Sequence, residues 1–262
     1  NSFAFLNVDL GEGKRIQDAA EISDPECEVV SSFLDYKFID NDEVNLNNMG
    51  ATWYANDFNA ATTVSYNFSF PNIITEEECC LVADLAARNM TSASFNIKAN
   101  NKSIYTASMK AITNSNTYAV AKNTGKRRFS SNSSDIKIDI TYNQSGTSSQ
   151  CWLNYIELNA WRELKYTGTM MNFRNPRKVI STTNYKYQIS NVSGELQVWD
   201  VSNPVEPQRC VLNQNAGIAS FVTKGNDNNE FVAFKPNSCL STHFVSTISN
   251  QDLHSNYDFD YL

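Results

Sequence analysis

The sequence has few of the residues on which common catalytic sites depend. It contains only two histidines, His243 and His254, among 262 residues. The chain therefore has few histidines to supply to a His-based triad or a multi-His metal site. The motifs GxSxG, HExxH, GxxxxGK[ST] and GxGxxG are absent. Acyl-transfer elbows, zincins and phosphate loops are therefore unsupported. We expect a non-catalytic module with no catalytic, cofactor-binding or metal-binding residues.

Positive charge and long apolar runs are also scarce. Lys and Arg number 21 against 28 Asp and Glu, for a net charge of -7. Non-specific nucleic-acid affinity comes from Lys and Arg that release counterions, so nucleic acid is not an expected partner. The chain begins with Asn1 and has no apolar run of 18 residues. This predicts neither a signal peptide nor a membrane span, and we expect a trimmed piece of a longer protein.

The cysteines do not form a metal or redox motif. None of the six belongs to a CxxC pair, which leaves little support for zinc. Adjacent cysteines in a strand point to opposite faces, so only one of Cys79 and Cys80 could reach a given partner. We predict free buried thiols, and a hydrolase with an unpaired cysteine as nucleophile is a weaker alternative. The six are Cys27, Cys79, Cys80, Cys151, Cys210 and Cys239.

Asparagine, aromatic residues and β-branched residues are abundant. Asn occurs 34 times, with 12 Tyr and 15 Phe, which favours turns and half-buried pleated surfaces over long helices. Residues 64–70 and 136–142 alternate apolar and polar, as half-buried strands do. Further short alternating segments follow at intervals of 8 to 12 residues after residue 165. The prediction is an all-β chain with antiparallel sheets packed face to face.

The pattern of residues 75–89 fits two structures equally well. Thr75 and Glu78 form a helix capping box, and Leu81, Val82 and Leu85 would share a helical face. The same stretch also alternates strictly from Cys79 to Ala87, as a strand does. The pattern alone leaves both open.

Two groups of side chains are candidates for surface binding. Lys126, Arg127 and Arg128 lie in a predicted polar loop, where a solvated role is favoured over an anion site. The tryptophans could form a sugar-stacking platform, although we expect at least three of them to pack inside. Exposed coplanar Trp, or tyrosines such as Tyr105 and Tyr118, would mark a glycan site. The tryptophans are Trp53, Trp152, Trp161 and Trp199, and N-x-[ST] sequons start at Asn67, Asn89, Asn101, Asn132, Asn143 and Asn191.

Several segments in order resemble one protein family. They include MGATWYANDF, YNFSFPNII, LVADLAARNMTSASFNIKANN, CWLNYIELNAWRELKYTGTMMNFR, LQVWDVSNP and ISNQDLHSNYDFDYL. Together they resemble the β-rich region that precedes the protease domain in gingipain-like C25 peptidases. Within that class, the resemblance is to the PorU-type C-terminal signal peptidases of the type IX secretion system. Arg162 and Arg174 flank the strand pair that carries much of this resemblance. Asp252 and Ser255 depart from the family's usual QNLHA-like pattern.

The resemblance implies several expectations. It favours a strand over the helix for LVADLAARN, residues 81–89. The family's catalytic His and Cys would lie downstream of this chain, and His254 resembles a linker residue. The expected partner is an adjoining caspase-like protease domain, with substrate proteins or outer-membrane secretion components as further partners. The expected location is the bacterial cell surface or outer membrane, outside the cell.

These observations lead to one predicted organisation. Residues 1–48 form a lead-in, 49–175 a jelly-roll-like β-sandwich, 176–257 a smaller β-subdomain and 258–262 the stub of a catalytic α/β domain. The predicted function is to support and orient the protease domain and to dock its substrate, with no peptidase activity in this chain alone. The alternative is a glycan-binding or adhesin module, because jelly rolls often bind sugars.

Overall fold

The computed structural model describes residues 13, 15–46, 52–59, 62–112, 120–144, 149–226, 229–239 and 244–247. His243, His254, Tyr118 and the predicted stub at 258–262 lie outside these residues. Within the described ranges, no helix is long and apolar enough to cross a membrane.

The described residues contain seventeen strands and two short 3-10 helices, Asp57–Asn59 and Pro236–Ser238. The strands are β1 Gln17–Asp18, β2 Glu28–Val30, β3 Ser32–Ile39, β4 Thr63–Ser69, β5 Cys79–Arg88, β6 Ala93–Ala99, β7 Lys102–Met109, β8 Ala121–Phe129, β9 Asp135–Asn143, β10 Gln150–Glu163, β11 Met171–Phe173, β12 Asn184–Ile189, β13 Gln197–Asp200, β14 Gln208–Arg209, β15 Asn213–Asn215, β16 Ile218–Lys224 and β17 Phe231–Phe234.

Strands β3 to β10 form a jelly roll. One sheet has the order β3-β10-β5-β8 and the facing sheet has the order β4-β9-β6-β7. Every pair within these two sheets is antiparallel. The first and last of the eight strands are neighbours, and the sheets exchange strands as in two Greek keys. The predicted all-β, jelly-roll-like class is confirmed.

The core of this first sandwich follows directly from the alternating segments. Ile136, Ile138, Ile140 and Tyr142 on β9 are all buried. The inward residues of β4 and β10 lie in the same core. A period of two in the sequence places every second side chain on one face of a sheet, and that face supplies the hydrophobic stabilisation.

The ambiguous stretch at 75–89 forms a strand from Cys79 onward. Cys79, Leu81, Ala83, Leu85 and Ala87 are all buried in the core. β5 lies between β10 and β8 and pairs with both along most of its length. A helix would leave these two neighbours without partners for their backbone groups, so the tertiary context outweighs the local capping box.

Two predictions about local structure are wrong. Residues 28–39 of the predicted lead-in form β2 and β3, so the jelly roll begins at Ser32. Residues 126–128, predicted as a polar loop, belong to β8, which pairs with β5. β8 is an edge strand of its sheet. Charged side chains are common on edge strands because they discourage pairing with other chains, and they masked the strand pattern here.

The remaining nine strands form a second sandwich. A five-stranded sheet, β1-β14-β13-β17-β11, faces a four-stranded sheet, β15-β16-β12-β2. Four rings dominate its core: Phe173, Tyr187, Phe221 and Phe231 have mutual centroid distances of 5.1 to 6.5 Å. Aromatic pairs at such distances add to the stabilisation from area burial. The first sandwich has a largely aliphatic core in contrast.

The two cores divide the chain at a different place from the predicted boundary. The first core extends to Ala160, and the second takes in Leu164 and Tyr166 together with Val30 and Phe33. The packing therefore changes between residues 160 and 164, whereas the predicted division stands at 175. The buried apolar residues between 164 and 175 already belong to the second core.

The many asparagines have the conformational role expected of them. Four of the five described non-glycine residues with positive φ are asparagines: Asn72, Asn100, Asn101 and Asn191. Asn tolerates the left-handed region better than most residues. Asn100 also connects two strands, because its Oδ1 accepts from the Lys137 N–H at 2.8 Å and its Nδ2 donates to the Asp135 carbonyl at 3.1 Å.

Candidate functional site

The two sandwiches are joined by paired strands. β10 pairs with β3 along the whole length of β3, from Ile39 opposite Ile156 to Ser32 opposite Glu163. The pairing continues beyond the sheet, where the Leu164 N–H donates to the Ser31 carbonyl at 2.7 Å. Two neighbouring chain segments thus pass together from one core to the other. Backbone hydrogen bonds between them resist hinge motion more than a single linker would.

Arg162 lies at this crossing with its side chain almost wholly buried. Its Nη1 donates to Asp35 Oδ2 at 2.7 Å and its Nε donates to the Pro71 carbonyl at 2.7 Å. The guanidinium also lies over the Phe33 ring at 5.0 Å. The exposed fractions of the Arg162 and Asp35 side chains are 7% and 14%. Removing one partner would leave a buried charge without compensation.

A third segment, residues 174–178, runs back across the same junction. The Leu34 N–H donates to the Arg174 carbonyl at 3.0 Å, and Asn175 Nδ2 donates to the Ser32 carbonyl at 3.0 Å. Asn175 is itself buried. Residues 174–178 belong to no strand, and their hydrogen bonds hold β3 in place.

Arg177 anchors this third segment to the first sandwich. Its Nη1 and Nη2 donate to the two carboxylate oxygens of Glu77 at 2.7 and 2.9 Å. The guanidinium lies over the Trp161 ring at 3.9 Å. Hydrogen bonding to Arg177 holds the pKa of Glu77 below its ordinary value. A two-pronged contact of this kind fixes orientation as well as position.

Arg174, the other arginine singled out in the sequence, lies on the outside of the junction. Its guanidinium is 5.2 Å from the centroid of the Tyr36 ring, and its Nη1 is 3.3 Å from Glu230 Oε1. Both partners of this ion pair are about half exposed, so it contributes little to stability. Arg162 and Arg174 therefore both reach the junction, with different burial.

The aromatic residues proposed as a glycan platform are dispersed. Trp152 and Trp161 are buried and Trp199 is half-buried, whereas Trp53 is 42% exposed. At least three tryptophans were expected to pack inside; two are buried and a third is half-buried. Tyr105 is half-buried beneath Arg127, whose guanidinium is 4.9 Å from its ring. The predicted signature of exposed coplanar rings is not found among the described residues.

The cysteines are all free, and three of them are poor candidates for a nucleophile. Burial raises the pKa of Cys79 to about 11 and the pKa values of Cys151 and Cys210 to about 12. The thiolate is the reactive form of cysteine, and these pKa values leave it scarce at neutral pH. Among the described residues, no three His, Cys, Asp or Glu side chains are grouped so as to hold a metal ion.

The sequence did not reveal the partners of the junction arginines. Asp35 and Glu77 precede Arg162 and Arg177 by 127 and 100 residues. No spacing rule links charges that are so far apart along the chain. A weak signal did exist, since Arg162 directly follows the apolar pair Ala160 and Trp161 in a long strand, where a buried charge would need a partner.

Fold and junction define the described chain as two β-sandwiches, the first a jelly roll, joined by paired strands. The chain is similar in fold to part of the dimeric latent PorU from Porphyromonas gingivalis, with a TM-score of 0.78 over 92% of this chain and 18% identity. This chain covers 24% of that PorU chain, or about a quarter of its length. At this identity the likeness shows a shared fold.

Weaker likenesses extend to isolated sandwich domains. One is the CBM36-1 domain of a multidomain xylanase from the hindgut metagenome of Trinervitermes trinervoides, with a TM-score of 0.31, 12% identity and coverage of 47% of this chain and 96% of that domain. Another is a family 35 carbohydrate binding module from Clostridium thermocellum, with a TM-score of 0.31, 13% identity and coverage of 49% and 98%. These scores are too low to support an argument. Neither models of protein families nor curated protein sequences yield a match.

Proposed function

We propose that this chain is a non-catalytic module that supports and orients the protease domain of a surface C25-type cysteine peptidase of the PorU type. The junction carries the proposal. Three chain segments cross it side by side; Arg162 pairs with Asp35 between two of them, and Arg177 connects the third to Glu77 of the first sandwich. A module built in this way can transmit a fixed geometry from one end to the other. The PorU-like fold supports this assignment.

The proposed setting follows from the same resemblance. The module would work at the bacterial cell surface or outer membrane as part of type IX secretion, next to a caspase-like protease domain in the same protein. Its exposed loops would contact substrate proteins or secretion components. Rigid sandwiches commonly present variable loops in this way.

The catalytic part of the proposal is tested with the chain alone and with the natural gene product. The chain alone should not cleave fluorogenic peptides, whereas the natural gene product should carry a following α/β region with Cys and His and should cleave them. Turnover by the chain alone that a cysteine-protease inhibitor abolishes would contradict the proposal. A natural gene product without such a region would contradict it as well.

The supporting role needs a separate measurement. In the natural gene product, Arg177→Ala should alter the distance distribution in small-angle X-ray scattering and lower kcat. Arg128→Ala is a matched control, because its pair with Glu78 is long at 3.8 Å and exposed. Equal scattering and equal kcat in both variants would show that the junction does not orient the protease.

A further inference from the structure

The end of the jelly roll opposite the junction contains a cavity of about 600 Å³. It lies where β5, β7 and β9 end and β4, β6, β8 and β10 begin, which follows from the antiparallel pairing of these strands. Small-molecule sites typically have volumes of about 300–1,000 Å³. We refer to this region as the cavity end.

Neutral polar groups dominate the lining of the cavity. Four amide side chains contribute, Asn45, Asn56, Gln144 and Gln150, together with the hydroxyls of Thr62, Tyr142 and Ser149. Each amide offers donors and an acceptor, and each hydroxyl can do both. Such a lining matches a ligand whose own groups both donate and accept, as sugar hydroxyls do.

One charged side chain lines the cavity within the described residues, and that is Arg88. Its guanidinium lies 5.5 Å from the centroid of the Trp152 ring, and its Nη1 donates to Gln150 Oε1 at 3.4 Å. Trp152 and Phe58 supply apolar ring surface to the same lining. A single guanidinium is too little for a polyphosphate, and the described lining includes no carboxylate to bind an amine or a cation.

A buried amide next to the cavity is only partly satisfied. Asn89 is 2% exposed, and its Oδ1 accepts from the hydroxyl of Tyr142 in the cavity wall. Its Nδ2 has no hydrogen-bond partner among the described residues. Buried polar groups are nearly always paired, and an exception is costly. Asn89 is not itself part of the lining, so this group marks an incompletely satisfied polar network behind the cavity wall.

The charge around the cavity selects against acidic ligands. Asp40, Asp42 and Glu43 follow β3 at this same end, and the chain carries a net charge of -7. Glu43 adjoins the lining directly, since its Oε2 accepts from the Asn56 N–H at 3.1 Å. A negative rim repels anions and leaves neutral ligands unaffected.

We propose that the cavity end is a binding site for a neutral sugar unit, held by Arg88, Gln150 and the hydroxyl and amide groups around them. This site uses a polar cavity and differs from the platform of exposed tryptophans considered for the glycan alternative. It also goes beyond the supporting role of the junction. Sugar binding at the cavity end and orientation of the protease domain by the junction are separate properties, so either one can be disproved without the other.

The test is saturation-transfer NMR of the full chain with glucose, galactose, mannose, xylose and N-acetylglucosamine, each at about 10 mM to detect dissociation constants near 1 mM. Glucuronate at the same concentration is the acidic arm. We expect transfer to at least one neutral sugar and less or none to glucuronate. Absence of transfer to all neutral sugars, or transfer to glucuronate alone, would overturn the proposal.

Variants then locate the binding site. Arg88→Gln and Gln150→Ala should each weaken the affinity, with about a tenfold loss for Arg88→Gln. Arg127→Gln is the matched control, because Arg127 also stacks on an aromatic ring of the same sandwich but lies outside the cavity. If Arg88→Gln fails to fold, Gln150→Ala and Gln144→Ala decide, since both residues are exposed. Unchanged affinity in all folded cavity variants would place the sugar elsewhere and overturn the proposal.

Discussion

The two ends of the jelly roll use their polar groups in opposite ways. At the junction end, Arg162 and Arg177 pair with Asp35 and Glu77, and backbone groups of three segments bond to one another. At the cavity end, Arg88 and several amides line an open volume, and behind them the Nδ2 of the buried Asn89 has no partner within the part of the chain that the structure describes. At the junction end, the polar groups bond to other parts of the same chain. The other end presents polar side chains to an open volume, as expected where loops carry function on a rigid scaffold.

The largest expected effect is at the junction end, from Arg162→Ala. Asp35 would remain largely buried without its cation, so the free energy of unfolding should fall by about 3–5 kcal/mol. Urea denaturation measures this. The exposed pair of Arg128 and Glu78 is the control, and Arg128→Ala should change stability by about 0.5 kcal/mol or less. A loss below about 1 kcal/mol for Arg162→Ala would mean that water reaches the junction and that its rigidity is overestimated.

A second substitution compares the cavity end with the core of the second sandwich. Tyr142→Phe removes the hydroxyl that donates to Asn89 and leaves that buried amide still less satisfied. We expect a loss of about 1–2 kcal/mol in the free energy of unfolding, measured by urea denaturation.

The matched control for that substitution is Tyr187→Phe. The Tyr187 hydroxyl is buried and has no hydrogen-bond partner among the described residues. Removing it should leave stability unchanged or raise it, because an unsatisfied polar group is lost. Equal losses from both substitutions would show that the Tyr142 hydroxyl has no special role at the cavity end.

The sequence predicted the part of the fold that depends on local periodicity. Ile136, Ile138 and Ile140 are buried as their alternation requires, and the all-β jelly roll follows from such segments. The prediction failed where the pattern was short or interrupted by charge. β2 has three residues, and β8 carries Lys126, Arg127 and Arg128 on an edge strand.

Neither end of the jelly roll could be located from the sequence. The junction needs Asp35, Glu77 and Arg177, whose contacts connect residues 100 or more positions apart. The cavity gathers residues from two separate connections and from the ends of three strands, and single Asn and Gln residues are common in a chain with 34 asparagines. Such sites arise from the topology of the fold, and the order of residues in the sequence does not show which loops lie next to one another.

A smaller effect is expected for Arg177→Ala at the junction end. The pair with Glu77 is partly exposed, with exposed fractions of 53% and 33%, so we expect a loss of about 1 kcal/mol at pH 7. Since the pKa of Glu77 is lowered by Arg177, this stabilisation is present above the ordinary value of 4.5. It is lost as the pH falls through the lowered pKa.

The measurement for Arg177→Ala is urea denaturation of wild type and variant at pH 7 and at pH 3. The difference between them should shrink at the lower pH. A difference that persists unchanged would assign the effect to the stacking of Arg177 on Trp161, at 3.9 Å, and not to the ion pair. The junction would then be held by packing more than by charge.

The smallest effect concerns thiol reactivity and tests whether the cavity is a fixed shape. Cys151 lines the cavity, but burial raises its pKa to about 12, so the reactive thiolate is scarce at pH 8. Ellman's reagent should therefore react quickly with the exposed Cys239 and reach Cys151 only after unfolding. Cys239→Ser should abolish the phase that belongs to Cys239 and leave any slower reaction of the partly exposed Cys27 and Cys80. If mass spectrometry assigned a second fast phase to Cys151, the cavity wall would have to open in the native protein. Its sugar-binding groups would then need to be ordered by the ligand, at a cost in affinity, and the contrast between a closed junction and a preformed cavity would be lost.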